Sequence, residues 1–406
     1  MVTRIIHKRN KQHAAHVSKI ALRLMAVLVM SGDYVPACVM GMIHLDEHRR
    51  ALQREMHWRK TYESRGFNWD SEAWNDGQCQ DLLHFPRVGA EKLGRLFFLP
   101  AMQSAPGTNG VELLQHDSDG NPVWIARNRT RMPLMEVVAV FLMRMSAECK
   151  WSRLAPQLGG RHWSQYKLVF GEMLTLLYDF WFDRLTDVTR YAALMHQWAF
   201  LVQQKVGGAS PRIIGFLDGT WIDVCKPFLD AIQRELYNRY YKGHGLKYQA
   251  LVAPIGLILD LFGPIVGRMS DSHMLRLSQL VAKLHQISVA LGWHVVAYAD
   301  AAYAQGPHIM RGLKRNMLHT VLMRELQTVM NRPRTSVEWG FGIVKADWPF
   351  VGERRKHRVY LSPVGRIFPL AALLSNCKAC HNGGNQISDY FGAEMPTLEW
   401  YLDLNR

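Results

Sequence analysis

Helical periodicity dominates the chain between residues 133 and 183. Apolar positions recur there at intervals of three and four, and the pattern breaks near Gly159-Gly160. A short helix, a turn and a longer helix in this order are typical of a helix-turn-helix. The pattern predicts helices at 133–149, 151–158 and 163–183.

The chain before residue 133 has a weaker pattern. Near-helical spacing predicts one or two helices within residues 15–60, and a further helix within residues 81–100. Residues 101–131 are rich in Gly, Pro, Asn, Ser and Asp, and such a composition predicts a loop or linker. Within that stretch, Asp117-Ser-Asp-Gly-Asn121 predicts a turn, because no acidic twelfth position completes a calcium loop.

From residue 211 the pattern changes to short apolar runs. The predicted strands cover residues 211–218, 247–253, 257–267 and 293–300. Residues 271–291 repeat apolar positions at helical spacing, and a further helix follows the fourth strand. The order strand, strand, strand, helix, strand, helix predicts an α/β domain with a mixed sheet and flanking helices, which is the ribonuclease H-like fold. The first and fourth strands are neighbours in that fold.

The charge of the chain narrows the class of partner. The 406 residues include 49 Lys and Arg against 34 Asp and Glu, which gives a formal net charge of +15. A basic excess favours binding to the phosphate backbone of nucleic acid. Six scattered cysteines do not form the framework of a disulfide-rich secreted domain, and no apolar run reaches the length of a membrane helix. The basic, acid-poor residues 1–32 are compatible with part of a DNA-binding region or with an organellar presequence.

Three acidic residues lie at informative positions. Asp218 and Asp300 end predicted strands, and Glu338 lies in a predicted helix four residues after Arg334. Carboxylates that converge at the rim of a mixed sheet can hold two divalent cations and promote the hydrolysis of a phosphodiester. The structural alternatives are a turn residue for each Asp and a surface ion pair for Arg334 and Glu338.

Five phrases in this region, taken in order, resemble the DDE nuclease domain of PIF/Harbinger transposases and their domesticated relatives. They are Leu-Asp-Gly-Thr at residues 217–220, Tyr-Tyr-Lys-Gly-His-Gly-Leu-Lys-Tyr-Gln-Ala-Leu-Val-Ala-Pro-Ile-Gly at residues 240–256, Gly-Pro-Ile-Val-Gly-Arg-Met-Ser-Asp-Ser at residues 263–272, the Asp300 phrase, and residues 334–348 with Val-Glu-Trp-Gly-Phe-Gly-Ile-Val-Lys. The resemblance covers about residues 211–380. The chain departs from the usual family pattern at Ala301-Ala302-Tyr303, where Ser-Gly-Tyr is usual, and at Asp347, where a basic residue is usual.

The resemblance implies Asp218, Asp300 and Glu338 as the catalytic triad that binds Mg²⁺ or Mn²⁺. It also implies Asp271 as a further metal ligand, although an Asp that opens a helix is equally well explained as its N-cap. A nuclear protein that works on DNA, with a separate Myb-like DNA-binding partner and without a membrane, is the expected context, and a homo-oligomer is compatible with it.

Basic and polar residues outside the triad are candidate DNA contacts. They are Arg161, Gln165 and Lys167 at the start of the last predicted helix before residue 185, and Lys345, Arg354, Arg355 and Lys356 near Glu338. The structural alternative for the first group is that these residues cap and solvate an ordinary helix bundle.

The sequence therefore predicts four segments. Residues 1–131 form a helical N-terminal region with a linker, residues 132–205 an all-α helix-turn-helix-like DNA-binding region, residues 206–390 the DDE nuclease domain, and residues 391–406 a C-terminal tail. The predicted function is a metal-dependent endonuclease or transposase that cuts and joins DNA. The alternative is a domesticated, transposase-derived DNA-binding protein without nuclease activity.

Overall fold

The computed structural model describes residues 67–107, 112–207, 212–313, 320–353, 357–359 and 361–404. The helices predicted within residues 15–60 lie outside the described residues. Three of the predicted DNA contacts, Arg354, Arg355 and Lys356, lie outside them as well.

The first half of the described chain is mainly helical. Its α-helices are α1 (Asp76–Leu83), α2 (Arg87–Leu93), α3 (Leu99–Gln103), α4 (Leu134–Ser146), α5 (Trp151–Leu154), α6 (Trp163–Trp181) and α7 (Ala192–Val206). The three helices predicted between residues 133 and 183 are confirmed as α4, as α5 with the 3₁₀ turn Ala155–Leu158, and as α6. In the described part of the chain, no helix has both the length and the apolar character needed to cross a membrane.

A small sheet replaces much of the loop predicted at residues 101–131, and that prediction was wrong in this respect. Three short antiparallel strands form it: β1 (Leu114–His116), β2 (Pro122–Ile125) and β3 (Arg131–Pro133). The turn predicted at Asp117 is confirmed, because its carboxylate accepts hydrogen bonds from the backbone N–H groups of Asp119 and Asn121. The three strands have only three or four residues each, which is too short to show an alternation of apolar and polar positions. The turn-forming residues around them therefore determined the prediction of a loop.

A buried ion pair connects α4 to the segment before α6. Arg161 donates through Nε to Glu136 Oε1 at 2.7 Å and through Nη2 to Glu136 Oε2 at 3.0 Å. The two side chains are 2% and 0% exposed. Gln165 is also buried, whereas Lys167 is exposed. The burial of Arg161 and Gln165 removes the basis for predicting that they contact DNA directly.

The second half of the chain is built on a mixed sheet. Its strands are β4 (Ile213–Asp223), β5 (Tyr237–Asn238), β6 (Gly243–Val252), β7 (Ile258–Val266), β8 (Val296–Ala299) and β9 (Ile309–Arg311). The sheet runs β5-β6-β4-β8-β9, and β7 also pairs with β6. The pairs β4/β6 and β6/β7 are antiparallel, and β4/β8 and β8/β9 are parallel. The four predicted strands, and the adjacency of the first and fourth, are confirmed.

The first strand is longer than predicted. Strand β4 continues five residues beyond Asp218, as its antiparallel ladder with β6 runs to the pair Asp223↔Gly245. Gly219 is opposite Gln249 in that ladder, so it extends the strand and does not start a turn. The prediction that Asp218 ends its strand was therefore wrong. A glycine usually weakens or bends a strand, but here the pairing with β6 keeps the strand continuous.

The described helices of this half are α8 (Asp230–Leu236), α9 (Asp271–Leu277), α10 (Leu280–Leu291), α11 (Val321–Asp347), α12 (Val364–Asn382), α13 (Gln386–Phe391) and α14 (Leu398–Leu402). The single helix predicted at 271–291 is divided into α9 and α10. The division occurs at Gln279, whose φ of 55° is left-handed.

Helix α12 lies at the centre of the core that both halves share. Nearly all of its residues are buried, and it packs against α6, α11 and β7. The Asn376 side chain accepts from the Ile258 N–H at 3.0 Å and donates to the Ile258 carbonyl at 2.9 Å. These two bonds hold the end of β7 against the helix. The boundaries predicted at 131/132, 205/206 and 390/391 stay predictions.

Candidate active site

Asp218 and Asp300 occupy equivalent levels on neighbouring parallel strands. The register of β4 and β8 pairs Leu217 with Ala299, and an Asp is the next residue on each chain. Strand β8 ends at Ala299, so Asp300 leaves the sheet where β4 continues. Since paired strands are about 4.8 Å apart, the two carboxylates start from adjacent backbone positions.

Helix α11 brings Glu338 to the same place. It packs on β4 through a face that includes the buried Val337 and Phe341, which leaves Glu338 half-exposed on the neighbouring face. Arg334 Nη1 lies 3.0 Å from Glu338 Oε1 and 3.8 Å from Asp218 Oδ2. The ion pair considered for Arg334 and Glu338 is therefore present, and the same guanidinium also reaches the carboxylate on β4.

The electrostatic environment of Asp218 shows that the three acids interact. Burial raises the pKa of Asp218 to about 6 from an ordinary value of 3.8, and repulsion from Asp300 and Glu338 adds to the rise. The Gly219 N–H, which donates to Asp218 Oδ1 at 2.7 Å, and the Arg334 guanidinium both oppose it. The site therefore holds more negative charge than its neighbours neutralise.

Asp271 is not the N-cap of its helix. Ser270 has that position, and its hydroxyl accepts a bond from the His273 N–H. The Asp271 carboxylate forms an ion pair with Lys247 of β6. It also lies beside β4, because a Cβ atom at position 219 would be 3.3 Å from Asp271 Oδ1. The absence of a side chain at Gly219 keeps this approach open.

Tyr303 is a site residue to which the sequence assigned no role. Its hydroxyl is buried without a hydrogen-bond partner among the described residues, 3.6 Å from where a Cβ atom on Gly219 would lie. Burial raises its pKa well above the ordinary value, and the charges of Asp271, Asp218 and Asp300 add to the rise. The departure at Ala301-Ala302 does not distort the loop, because neither residue has a positive φ. The Ala302 carbonyl accepts a bond from the Ser272 hydroxyl at 2.8 Å and so links this loop to α9.

The acids lie within a segment that matches a known family. Residues 217–376 match the family model of the DDE superfamily endonuclease. No curated protein and no solved structure gave a significant match to the chain. The family match supports a nuclease function for the segment, and a nuclease domain of this kind implies DNA as its substrate. DDE superfamily endonucleases generally use divalent metal ions.

The segment that matches this family model offers donors that suit such ions. Carboxylate oxygens are the ligands that Mg²⁺ and Mn²⁺ prefer, the buried Tyr303 hydroxyl lacks a partner, and the raised pKa of Asp218 marks a place where an added cation relieves repulsion. Across the described residues, no three His, Cys, Asp or Glu side chains lie close enough together to hold an ion. The donor chemistry fits a divalent cation, while Arg334 provides the positive charge between Asp218 and Glu338.

Two predicted DNA contacts remain on the described surface of the protein. Lys167 is exposed on α6. Lys345 is exposed two turns after Glu338 on α11, and its Nζ donates to the Trp221 carbonyl at 3.2 Å. This bond holds Lys345 beside β4 at Trp221, which is three residues after Asp218 along the strand. Its position next to the acids could be found from helical spacing, whereas the burial of Arg161 could not.

Proposed function

We propose that the chain is a divalent-metal-dependent DNA endonuclease of the PIF/Harbinger transposase type. The observation that carries the proposal is the register of β4 and β8, which makes Asp218 and Asp300 neighbours and leaves Glu338 linked to Asp218 through Arg334. Phosphodiester hydrolysis by divalent cations uses carboxylates from neighbouring elements. Arg334 meets two carboxylates here, Asp218 and Glu338, whereas a purely structural ion pair needs only one.

Asp218, Asp300 and Glu338 would hold the metal ions, with Asp271 as a further ligand. When bound, such ions lower the pKa of an attacking water and stabilise the leaving 3′ oxygen. Asp218 accepts a cation only after it loses its proton, and its pKa of about 6 places that loss just below neutral pH. Lys247 holds the Asp271 carboxylate next to β4. Lys345, fixed by its bond to Trp221, provides positive charge for a DNA phosphate.

Other parts of the proposal have different support. Apart from the two-residue strand β5, the strands lie along the sheet in the order β7-β6-β4-β8-β9. This order supports a ribonuclease H-like domain. The helices α4, α5 and α6 support a helix-turn-helix-like region, with Lys167 as the exposed basic residue. A nuclear location, a Myb-like DNA-binding partner and a homo-oligomer rest on the sequence resemblance.

Nicking of supercoiled DNA tests the function. The parent protein is incubated with Mg²⁺ or Mn²⁺ beside Asp218→Asn, Glu338→Gln and the control Glu325→Gln, which changes an exposed carboxylate on the same helix. We expect both site variants to lose more than about 100-fold in rate, since even residues that only support metal ligands cost about 10- to 100-fold when they are changed. The control should nick at the parental rate, and calorimetry with Mn²⁺ should show weaker binding only in the site variants.

Two outcomes contradict the proposal. Nicking by Asp218→Asn at the parental rate would show that the acids are not the active site. Salt-sensitive DNA binding with no nicking and no Mn²⁺ binding by the parent protein would instead indicate the domesticated DNA-binding protein.

A further inference from the structure

An exposed aromatic and basic turn lies next to the candidate active site. Arg239, Tyr240, Tyr241 and Lys242 join β5 to β6, and all four are exposed. Tyr240 is 85% exposed and Tyr241 is 46% exposed. Tyr240 gains little from packing at this exposure, so burial in the core does not explain it, and Tyr241 is only about half buried.

Hydrogen bonds fix the shape of this turn. Asn238 Oδ1 accepts from the backbone N–H groups of Tyr240 at 2.9 Å and Tyr241 at 3.3 Å. Asn238 Nδ2 donates to the Gly267 carbonyl at 2.7 Å, which ties the turn to the residue after β7. The tyrosines are therefore held in place before any ligand arrives, which lowers the entropic cost of binding.

The rings are arranged in a stack that begins in the sheet. Tyr241 lies nearly parallel to Trp221 of β4, with centroids 4.7 Å apart and an angle of 14°. Tyr240 meets Tyr241 edge to face, with centroids 5.0 Å apart and an angle of 88°. Trp221 is buried and supports the Tyr241 ring, while Tyr240 leaves most of its own ring open to solvent.

The stack lies on the side of β4 that Asp271 approaches. Gly219 and Trp221 face the same side of this strand because side chains alternate along it. A Cβ atom on Gly219 would be 3.3 Å from Asp271 Oδ1. Burial raises the pKa of Tyr241, and the charges of Asp271 and Asp218 add to the rise. A ligand on the tyrosines therefore lies on the face of β4 that Asp271 approaches.

We propose that the Arg239–Lys242 turn binds an unpaired DNA base beside the scissile phosphodiester, with the base stacked on Tyr240 and Tyr241. The proposal rests on the proposed function, because it assigns a DNA strand to the neighbouring acids. Aromatic side chains stack with any base and contribute about 1–3 kcal/mol per base. Arg239 and Lys242 flank the rings with positive charge, which complements the phosphates on either side of that base.

Fluorescence anisotropy in EDTA tests the inference without any cutting. The probes are a blunt labelled duplex and the same duplex with a three-nucleotide unpaired end that carries 2-aminopurine. We expect the parent protein to bind the unpaired end more tightly and to quench the 2-aminopurine. Tyr240→Leu and Tyr241→Leu should weaken binding to the unpaired end by about 5- to 160-fold, which corresponds to the stacking energy. Binding to the blunt duplex should not change.

Two further sets of variants distinguish stacking from charge. Tyr237→Leu is the matched control for Tyr241→Leu, because Tyr237 is a nearby tyrosine outside the turn and its exposure of 42% is close to the 46% of Tyr241. It should bind like the parent. Tyr240→Trp should retain quenching. Arg239→Gln and Lys242→Gln should weaken the binding of both probes and reduce the salt dependence of that binding.

The result can be separated from the fate of the endonuclease proposal. The base-stacking inference is overturned if the parent protein binds both probes equally, or if the tyrosine variants lose the same affinity for both probes. This holds even if the protein nicks DNA. If the preference for the unpaired end depends on Tyr240 and Tyr241 but no nicking occurs with any metal, the stacking site stands and the proposed function fails.

Discussion

Two arginine–glutamate pairs in this molecule have opposite surroundings. Arg161 and Glu136 meet inside the helical half through two hydrogen bonds, and both side chains are almost fully buried. Arg334 and Glu338 meet on α11 above strand β4 through one contact, with Glu338 52% exposed and two further acids nearby. The first pair balances its charges, whereas the second leaves a negative excess.

This difference explains what each pair can do. A buried pair with complete hydrogen bonding holds two elements together and cannot release either partner without a large cost. A partly exposed pair contributes little to stability, so its arginine can leave when another cation or a phosphate arrives. The comparison assigns Arg161 to folding and Arg334 to the candidate site, although both residues are arginines that pair with a glutamate.

The largest effect on stability is expected from breaking the buried pair. Glu136→Gln leaves the Arg161 charge without its counter-ion in the core, and removal of one partner of a buried pair costs about 3–5 kcal/mol of unfolding free energy. Urea denaturation measures the loss. The double variant Glu136→Leu with Arg161→Met removes both charges and should recover most of it. Equal stability of Glu136→Gln and the parent would contradict the structural role of the pair.

The next largest effect is an increase in the unfolding free energy, which is expected from Asp218→Asn and depends on pH. The folded-state pKa of Asp218, about 6, is above its ordinary value of 3.8, so the folded state holds its proton more tightly than the unfolded state does. Stability is therefore lost as the pH rises from about 4 to about 6, by up to about 3 kcal/mol at a cost of 1.36 kcal/mol per pKa unit. Asp218→Asn removes this penalty.

Denaturation of Asp218→Asn in EDTA at several pH values checks this expectation. The variant should be more stable than the parent at pH 7.5, by up to about 3 kcal/mol, and the gain should disappear near pH 4. Asp389→Asn, an exposed acid on α13 far along the chain, serves as the control. A variant less stable than the parent at pH 7.5 would show that Arg334 stabilises Asp218 more than burial and repulsion destabilise it.

The smallest effect is expected from the exposed pair. Glu338→Gln should change the unfolding free energy by about 1 kcal/mol or less, because an i,i+4 pair whose glutamate is half-exposed is weak and the substitution also removes a repulsion with Asp218. The same urea series provides the value. A loss as large as that of Glu136→Gln would abolish the distinction between the two pairs.

Sequence reasoning was most successful where local pattern and chemistry coincide. Helical spacing predicted α4 and α6 within a few residues, and apolar runs located β4, β6, β7 and β8. It was less successful where a partner from another element decided the result. The continuation of β4 beyond Gly219 depends on its ladder with β6, and the ion pair of Asp271 depends on Lys247, which is distant along the chain.

The sequence by itself determined the element types, the basic character of the chain and the three acids that deserve testing, because periodicity, composition and short phrases are properties of neighbouring residues. Only the tertiary structure decided which charges are neutralised. It buried Arg161 against Glu136, positioned Arg334 between Asp218 and Glu338, and left the Tyr303 hydroxyl without a partner among the described residues. Burial and the proximity of residues distant along the chain set these interactions, and neither can be found from local sequence.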